Sequence, residues 1–89
     1  MRDPRTPDPA VTDVVVRLFA SHAAAAGAPA MTVRVPGVPT VRALRVALPD
    51  LLGRHARHAL VAVNAAYAGD DVIIAPGDDV ALIPPVAGG

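Results

Sequence analysis

Apolar and polar positions begin to alternate at Thr12. In TDVVVRLFA, Val14, Val16 and Leu18 fall on one side of an extended chain, and Val15, Arg17 and Phe19 on the other. A period of two marks a strand with two unlike faces. HAAAAGAP then predicts a short helical turn, closed by Gly27 and kept from continuing by Pro29. MTVRV alternates again, with Met31, Val33 and Val35 inward and Thr32 and Arg34 outward. The first two strands are therefore expected to form a hairpin with a long alanine-rich connection.

The period changes after PGVP. Thr40 is a suitable N-cap for VRALRVALPDLL, in which Val41, Leu44, Leu48 and either Leu51 or Leu52 recur at helical spacing. Arg42 and Arg45 fall on the polar side, and Pro49 ends the helix near Leu48. GRHARH reads as a polar connection. ALVAVNAAY predicts a third strand, with Val61 and Val63 on one face and a turn beginning at Asn64. AGDDVIIAPGDDVALIP holds a short extended piece, a PGDD turn and a last strand in which Val80 and Leu82 oppose Ala81 and Ile83. The order is β-β-α-β-(β)-β, an α+β pattern: a mixed sheet of four to five strands with one main helix packed on one face.

At 89 residues, composition adds three constraints. Neither a disulfide framework nor a thiolate metal site braces the chain, since cysteine is absent; apolar burial must hold it, and 53% of residues are hydrophobic. Eight basic and eight acidic residues cancel, which argues against nucleic acid or an anionic membrane as partner. MRDPRTPDPAVT has charge and proline but no apolar run, so residues 1–12 read as a disordered leader. VVVRLFASHAAAAGAPA has a superficial likeness to a secretory signal. Arg17 splits its apolar stretch, and it is too short to span a membrane; a cytoplasmic location is expected.

Most polar residues have plain roles. His55 and His58 lack a third metal ligand and are expected in a solvated loop, so no metal site is assigned. The pairs Asp70–Asp71 and Asp78–Asp79 adjoin glycine in turn sequences, where Asp bonds its own backbone. No phosphate-binding glycine loop and no Ser or Cys nucleophile with a partner His is present. The feature left over is the end of the chain, IPPVAGG. Two prolines hold a segment extended, and the two last residues carry no side chain.

VVVRLFA, TVRAL, VAVNAAY and above all PGDDVALIPPVAGG resemble the MoaD/ThiS-type ubiquitin-like sulfur carriers, most closely the small subunit of molybdopterin synthase. The resemblance runs from about Val14 to Gly89. It implies a β-grasp (ubiquitin-like) domain over 13–83 and a flexible tail over 84–89. The thiamine-pathway carriers share the terminal glycines but usually lack the PPV lead-in, and carriers for cysteine biosynthesis can end in a similar tail.

The resemblance also implies a chemistry. The protein has no active site of its own and binds no cofactor. Its Gly89 carboxylate is adenylated with ATP and Mg by an E1-like enzyme of the MoeB/ThiF type, and sulfide from a sulfide or persulfide donor then yields a thiocarboxylate. That sulfur would pass to molybdopterin through a MoaE-type large subunit. Gly88 and Gly89 leave bare backbone for a narrow partner site, Pro84 and Pro85 project the tail, and Val86 and Ala87 offer small apolar contacts. In the family the uncovered sheet face beside the tail docks both partners, and Phe19, Tyr67 and Ile83 fall at the matching positions. Those residues could instead fill a minor core beneath the alanine-rich loop, or support self-association.

Two further alternatives share the fold. One is a protein modifier that joins its terminal glycine to lysines; the other is an interaction module without acyl chemistry. All eight basic residues are arginine. Genomic base composition accounts for that, as it does for the alanine excess, although absence of lysine would also limit self-conjugation of an activated terminus.

Overall fold

β1 (Val11–Leu18) and β2 (Ala30–Pro36) are the long strands, and they pair antiparallel from Val11 opposite Pro36 to Arg17 opposite Ala30. In this computed structural model the described residues are 11–84. The expected leader up to residue 10, and the tail from Pro85 to Gly89, lie outside them. β1 starts two residues before the expected domain start at 13, because Val11 and Thr12 continue the ladder with Pro36 and Val35.

The connection between these strands is a seven-residue helix, α1 (Ala20–Ala26), where a short helical turn was expected. Alanine is the best helix former, and Gly27 closes the helix in the left-handed conformation (φ 69°), donating to the carbonyls of Ala23 and Ala24. His22 is buried, and Ala23 and Ala26 pack on the core. The sheet is therefore covered by two helices.

α2 (Val41–Ala47) starts at the expected cap: the Thr40 hydroxyl accepts from the Ala43 N–H at 3.1 Å. It stops before Pro49 with Leu48 extended. Val41, Leu44 and Leu48 are buried, and of the two following leucines Leu52 enters the core (6% exposed) while Leu51 faces solvent (58%). GRHARH is more than a polar connection. It forms a 3₁₀ turn over Arg54–His58, after another at Asp50–Leu52, and buries Ala56 and the following Ala59. Arg45 also departs from its expected polar side. Its guanidinium is 19% exposed, donates to Asp70 at 2.9 Å and to the Arg57 carbonyl at 3.0 Å, and reaches the Ala59 carbonyl. The side chain thereby ties α2 to the 3₁₀ turn and to the loop after the fourth strand.

β3 (Leu60–Val63), β4 (Ala66–Tyr67) and β5 (Val80–Ile83) complete a five-stranded sheet in the order β2-β1-β5-β3-β4. β5 lies between β1, to which it is parallel, and β3, to which it is antiparallel. The extended piece expected before β5 is reduced to one bridge between Ile73 and Thr40, with Ile74 buried beside it. Val14, Val16, Leu18, Val33, Val35, Val61, Val80 and Leu82 all face the helices and form the core with Val41, Leu44 and Leu48. Among the described residues no helix is long and apolar enough to cross a membrane.

Candidate functional site

The opposite face of the sheet carries no helix. Register aligns one row of residues across four strands there: Arg17 of β1 stands beside Ala81 of β5, Ala81 beside Ala62 of β3, and Ala62 beside Tyr67 of β4. The sequence is large, small, small, large, so the row makes a trough with a methyl floor. Ile83 lies two residues further along β5, and Phe19, still extended, one residue past the end of β1, both on the same face by strand parity. Together with Ala65 and Asp79 these residues line a groove of about 330 Å³.

Its walls are held by polar contacts. Arg17 makes a two-pronged pair with Asp79 (2.9 and 3.0 Å) and lays its guanidinium over the Phe19 ring, 5.8 Å from the centroid. Both partners of that pair are about half-exposed, so the pair orients more than it stabilises. Asp79 in turn accepts at its carbonyl from the Asn64 N–H (2.7 Å) and donates its own N–H to the Asn64 side chain (2.9 Å). The Asn64 amide donates to Asp78 (3.0 Å), whose other oxygen accepts from the Ala75 N–H (2.7 Å). The backbone bond from Ala75, then that from Asn64, holds the Asp78 carboxyl below its ordinary pKa. Asp78 thus bonds nearby turn backbone as expected, whereas the Asp79 carboxylate is taken by Arg17 instead.

The tight turn between β3 and β4 consists of Asn64 and Ala65, both with positive φ (53° and 69°). A two-residue hairpin loop demands this backbone to match the strand twist. Asn tolerates it; Ala seldom does.

The three residues expected at a docking patch are brought together. Phe19 is 42% exposed and Tyr67 72%, while Ile83 is half-buried. Phe19 does not lie beneath the alanine-rich segment, since α1 packs on the other face through His22, Ala23 and Ala26. Pro84 follows Ile83 directly and is half-buried; Pro85, Val86, Ala87, Gly88 and Gly89 lie outside the described residues. Sequence reading missed Arg17, Ala62, Ala65, Asp79 and Ala81 as parts of this groove. Parity already put Arg17 and Ala81 on the right face, but small residues attract no notice in a search for apolar anchors.

Other features stand apart from the groove. A larger hollow of about 590 Å³ lies on the α2 side, between Arg34, Pro36, Arg42 and Val46, away from the residue that leads into the tail. His55 and His58 are exposed, Asp70 is engaged by Arg45, and no three potential metal ligands gather among the described residues.

Comparison with known proteins agrees with this architecture. The ThiS family model matches residues 16–89. SAMP1 from Haloferax volcanii is 31% identical with a TM-score of 0.71, the match covering 88% of this chain and 100% of that one. The Haloferax volcanii HVO 2177 protein is 26% identical with a TM-score of 0.73, covering 100% and 98%. A Pyrococcus furiosus protein described as molybdopterin converting factor, subunit 1, is 26% identical with a TM-score of 0.62, covering 83% and 98%. No curated protein matches the chain. A five-stranded mixed sheet wrapped on helices, the matched neighbours and the family model together make this a ubiquitin-like β-grasp protein of the MoaD/ThiS type: the chain belongs to the ThiS family.

Proposed function

We propose that this protein is a sulfur carrier whose reactive group is the carboxyl of Gly89, and that it serves molybdopterin biosynthesis as the small subunit of molybdopterin synthase. The observation that carries this reading is the groove itself: a trough with an apolar floor on the helix-free face, with Ile83 in its lining and Pro84 and the rest of PPVAGG directly after it in sequence. A partner seated on Phe19, Tyr67 and Ile83 would receive the tail beside its own active site.

The chemistry follows from the weakness of a carboxylate as an electrophile. Attack of the Gly89 carboxylate on the α-phosphorus of ATP, with Mg²⁺ supplied in the partner, releases pyrophosphate and leaves an acyl adenylate. Sulfide delivered by the donor adds to the acyl carbon, AMP departs, and a terminal thiocarboxylate remains. Gly88 and Gly89 let the partner close around bare backbone, and Pro84 and Pro85 restrict the tail beforehand and lower the ordering entropy. The partners in this reading are an adenylating enzyme of the MoeB/ThiF type and a MoaE-type large subunit. The likeness to a molybdopterin converting factor subunit supports that pathway.

A second reading has its own support in the 31% identity to SAMP1, which belongs with the small archaeal modifier proteins. In that reading the activated Gly89 acylates a lysine amine of a target protein. Intact-mass measurement after incubation with ATP, Mg²⁺, the adenylating enzyme and sulfide separates the two. Exchange of one oxygen for one sulfur at Gly89, abolished by deleting Gly89, supports the carrier. Isopeptide-linked products with an unchanged free pool support the modifier.

A further inference from the structure

The turn between β3 and β4 uses Asn64-Ala65 where Asn-Gly is the favoured pair. At φ 69° the Ala65 Cβ is crowded against its own backbone, and glycine would adopt the same conformation without that penalty. The methyl adds nothing to the core, because Ala65 is exposed. It does line the groove, with Phe19, Ala62, Tyr67 and Ala81. Among the described residues three non-glycines take positive φ, Ala20, Asn64 and Ala65; of these Ala65 alone lines the groove, and departures of that kind collect at functional sites.

We infer that Ala65 is a specificity-determining contact: its methyl is part of the wall against which the adenylating partner packs an apolar side chain, and it is retained there at the expense of turn stability. This rests on the reading of the groove as a docking face. The partner group it fits is a small or branched apolar side chain entering over Ala62 and Ala81, where Phe19 and Tyr67 flank it. A glycine at 65 would widen the trough by one methyl and leave that contact unfilled.

The test measures stability and activation kinetics on the full chain, using ATP–pyrophosphate exchange by the ThiF/MoeB-type enzyme of the same genome. Ala65→Gly is expected to raise Tm by about 4–8 °C and to raise KM for this protein about fourfold, the worth of one buried methyl, with kcat unchanged. Ala65→Ser keeps the Cβ and should leave KM within about twofold. Equal weakening by Gly and Ser would show that the Cβ is not what the partner reads and overturn the inference. So would a Gly variant that is no more stable than the parent, or one that is more stable and binds as well. Phe19→Ala distinguishes the two levels of the argument. If it raises KM while Ala65→Gly does not, Ala65 is a bystander on a real docking face; if it has no effect on KM, the docking face itself is wrong.

Discussion

The two faces of the sheet are built from the same strands and differ in almost everything else. On the covered face eight strand residues, all Val or Leu, meet α1 and α2 and are essentially sealed from solvent. On the open face the same strands present Val15, Arg17, Ala62, Tyr67 and Ala81, with Phe19 just past β1: anchors, a methyl floor and two ion pairs, Arg17 with Asp79 and Arg34 with Asp13. Strand period two lets one chain write both surfaces independently. On the function proposed above, stability and recognition fall to opposite parities, so a substitution should move one and spare the other.

The sharpest break of that comparison is a deletion in the covered face. Leu44→Ala removes a fully buried side chain of α2 and should destabilise the protein by about 2–5 kcal/mol, read from urea unfolding. Phe19→Ala, on the open face, should stay near or below about 0.5 kcal/mol. Equal losses would mean that the groove is a second core. Next comes the seam at the edge of α2. Arg45→Ala deletes the pair with Asp70 and leaves the Arg57 and Ala59 carbonyls without their donor, for a loss of about 1–3 kcal/mol. Arg42, one turn-position away and largely exposed with Asp70 at 3.8 Å, should give less than about 1 kcal/mol when truncated. Similar values for the two would show that Arg45 is no tie.

Ala62→Leu sharpens the comparison from the other side. It fills the trough floor with a side chain while leaving the covered face untouched, so KM for activation should rise about tenfold, equivalent to about 1.4 kcal/mol, with Tm little changed. The smallest effect concerns the covered face alone. His22 is buried on α1, its Nδ1 has no hydrogen-bond partner, and burial lowers its pKa below the usual value near 6.5. The unfolded chain therefore takes up a proton near pH 6.5 that the folded chain refuses until lower pH. Stability should be flat in this respect above pH 6.5 and fall as the pH drops below it. His22→Leu should abolish that decline, and a decline identical in both proteins would remove His22 as its source. Asp78 titrates in a separate window, below its ordinary carboxylate range.

Strands and the start of α2 were legible because their signals are local. Alternation in VVVRL and MTVRV places every inward residue correctly, and Thr40 with Pro49 brackets α2. α1 was legible only as a short helical turn, because HAAAA has no amphipathic contrast and its buried residue is a histidine, the reverse of the usual sign. Ala56 and Ala59 hid inside a run dominated by Arg and His for the same reason. Arg45 obeyed the helical period, yet its fate is set by Asp70 and by carbonyls 12 and 14 residues away in sequence, a contact no local pattern encodes. At the groove, Phe19, Tyr67 and Ile83 were found by parity and resemblance. The floor was not, because alanines acquire meaning only once register puts Ala81 beside Ala62. The conformation of Ala65 was invisible too, since Asn-Ala is not a sequence that announces a tight hairpin.

The placement of β5 has a consequence for how this protein is made. The strand that joins β1 to β3 is the last of the described strands, so the sheet has no centre until Ile83 has been made. Everything translated earlier can form at most a β1–β2 hairpin with its helices, and a separate β3–β4 pair. Closure must therefore bridge the sequence from β1 to β5, which makes it slow for so small a domain. A nascent chain cut short before Val80 would lack both the middle of its sheet and the floor of its groove.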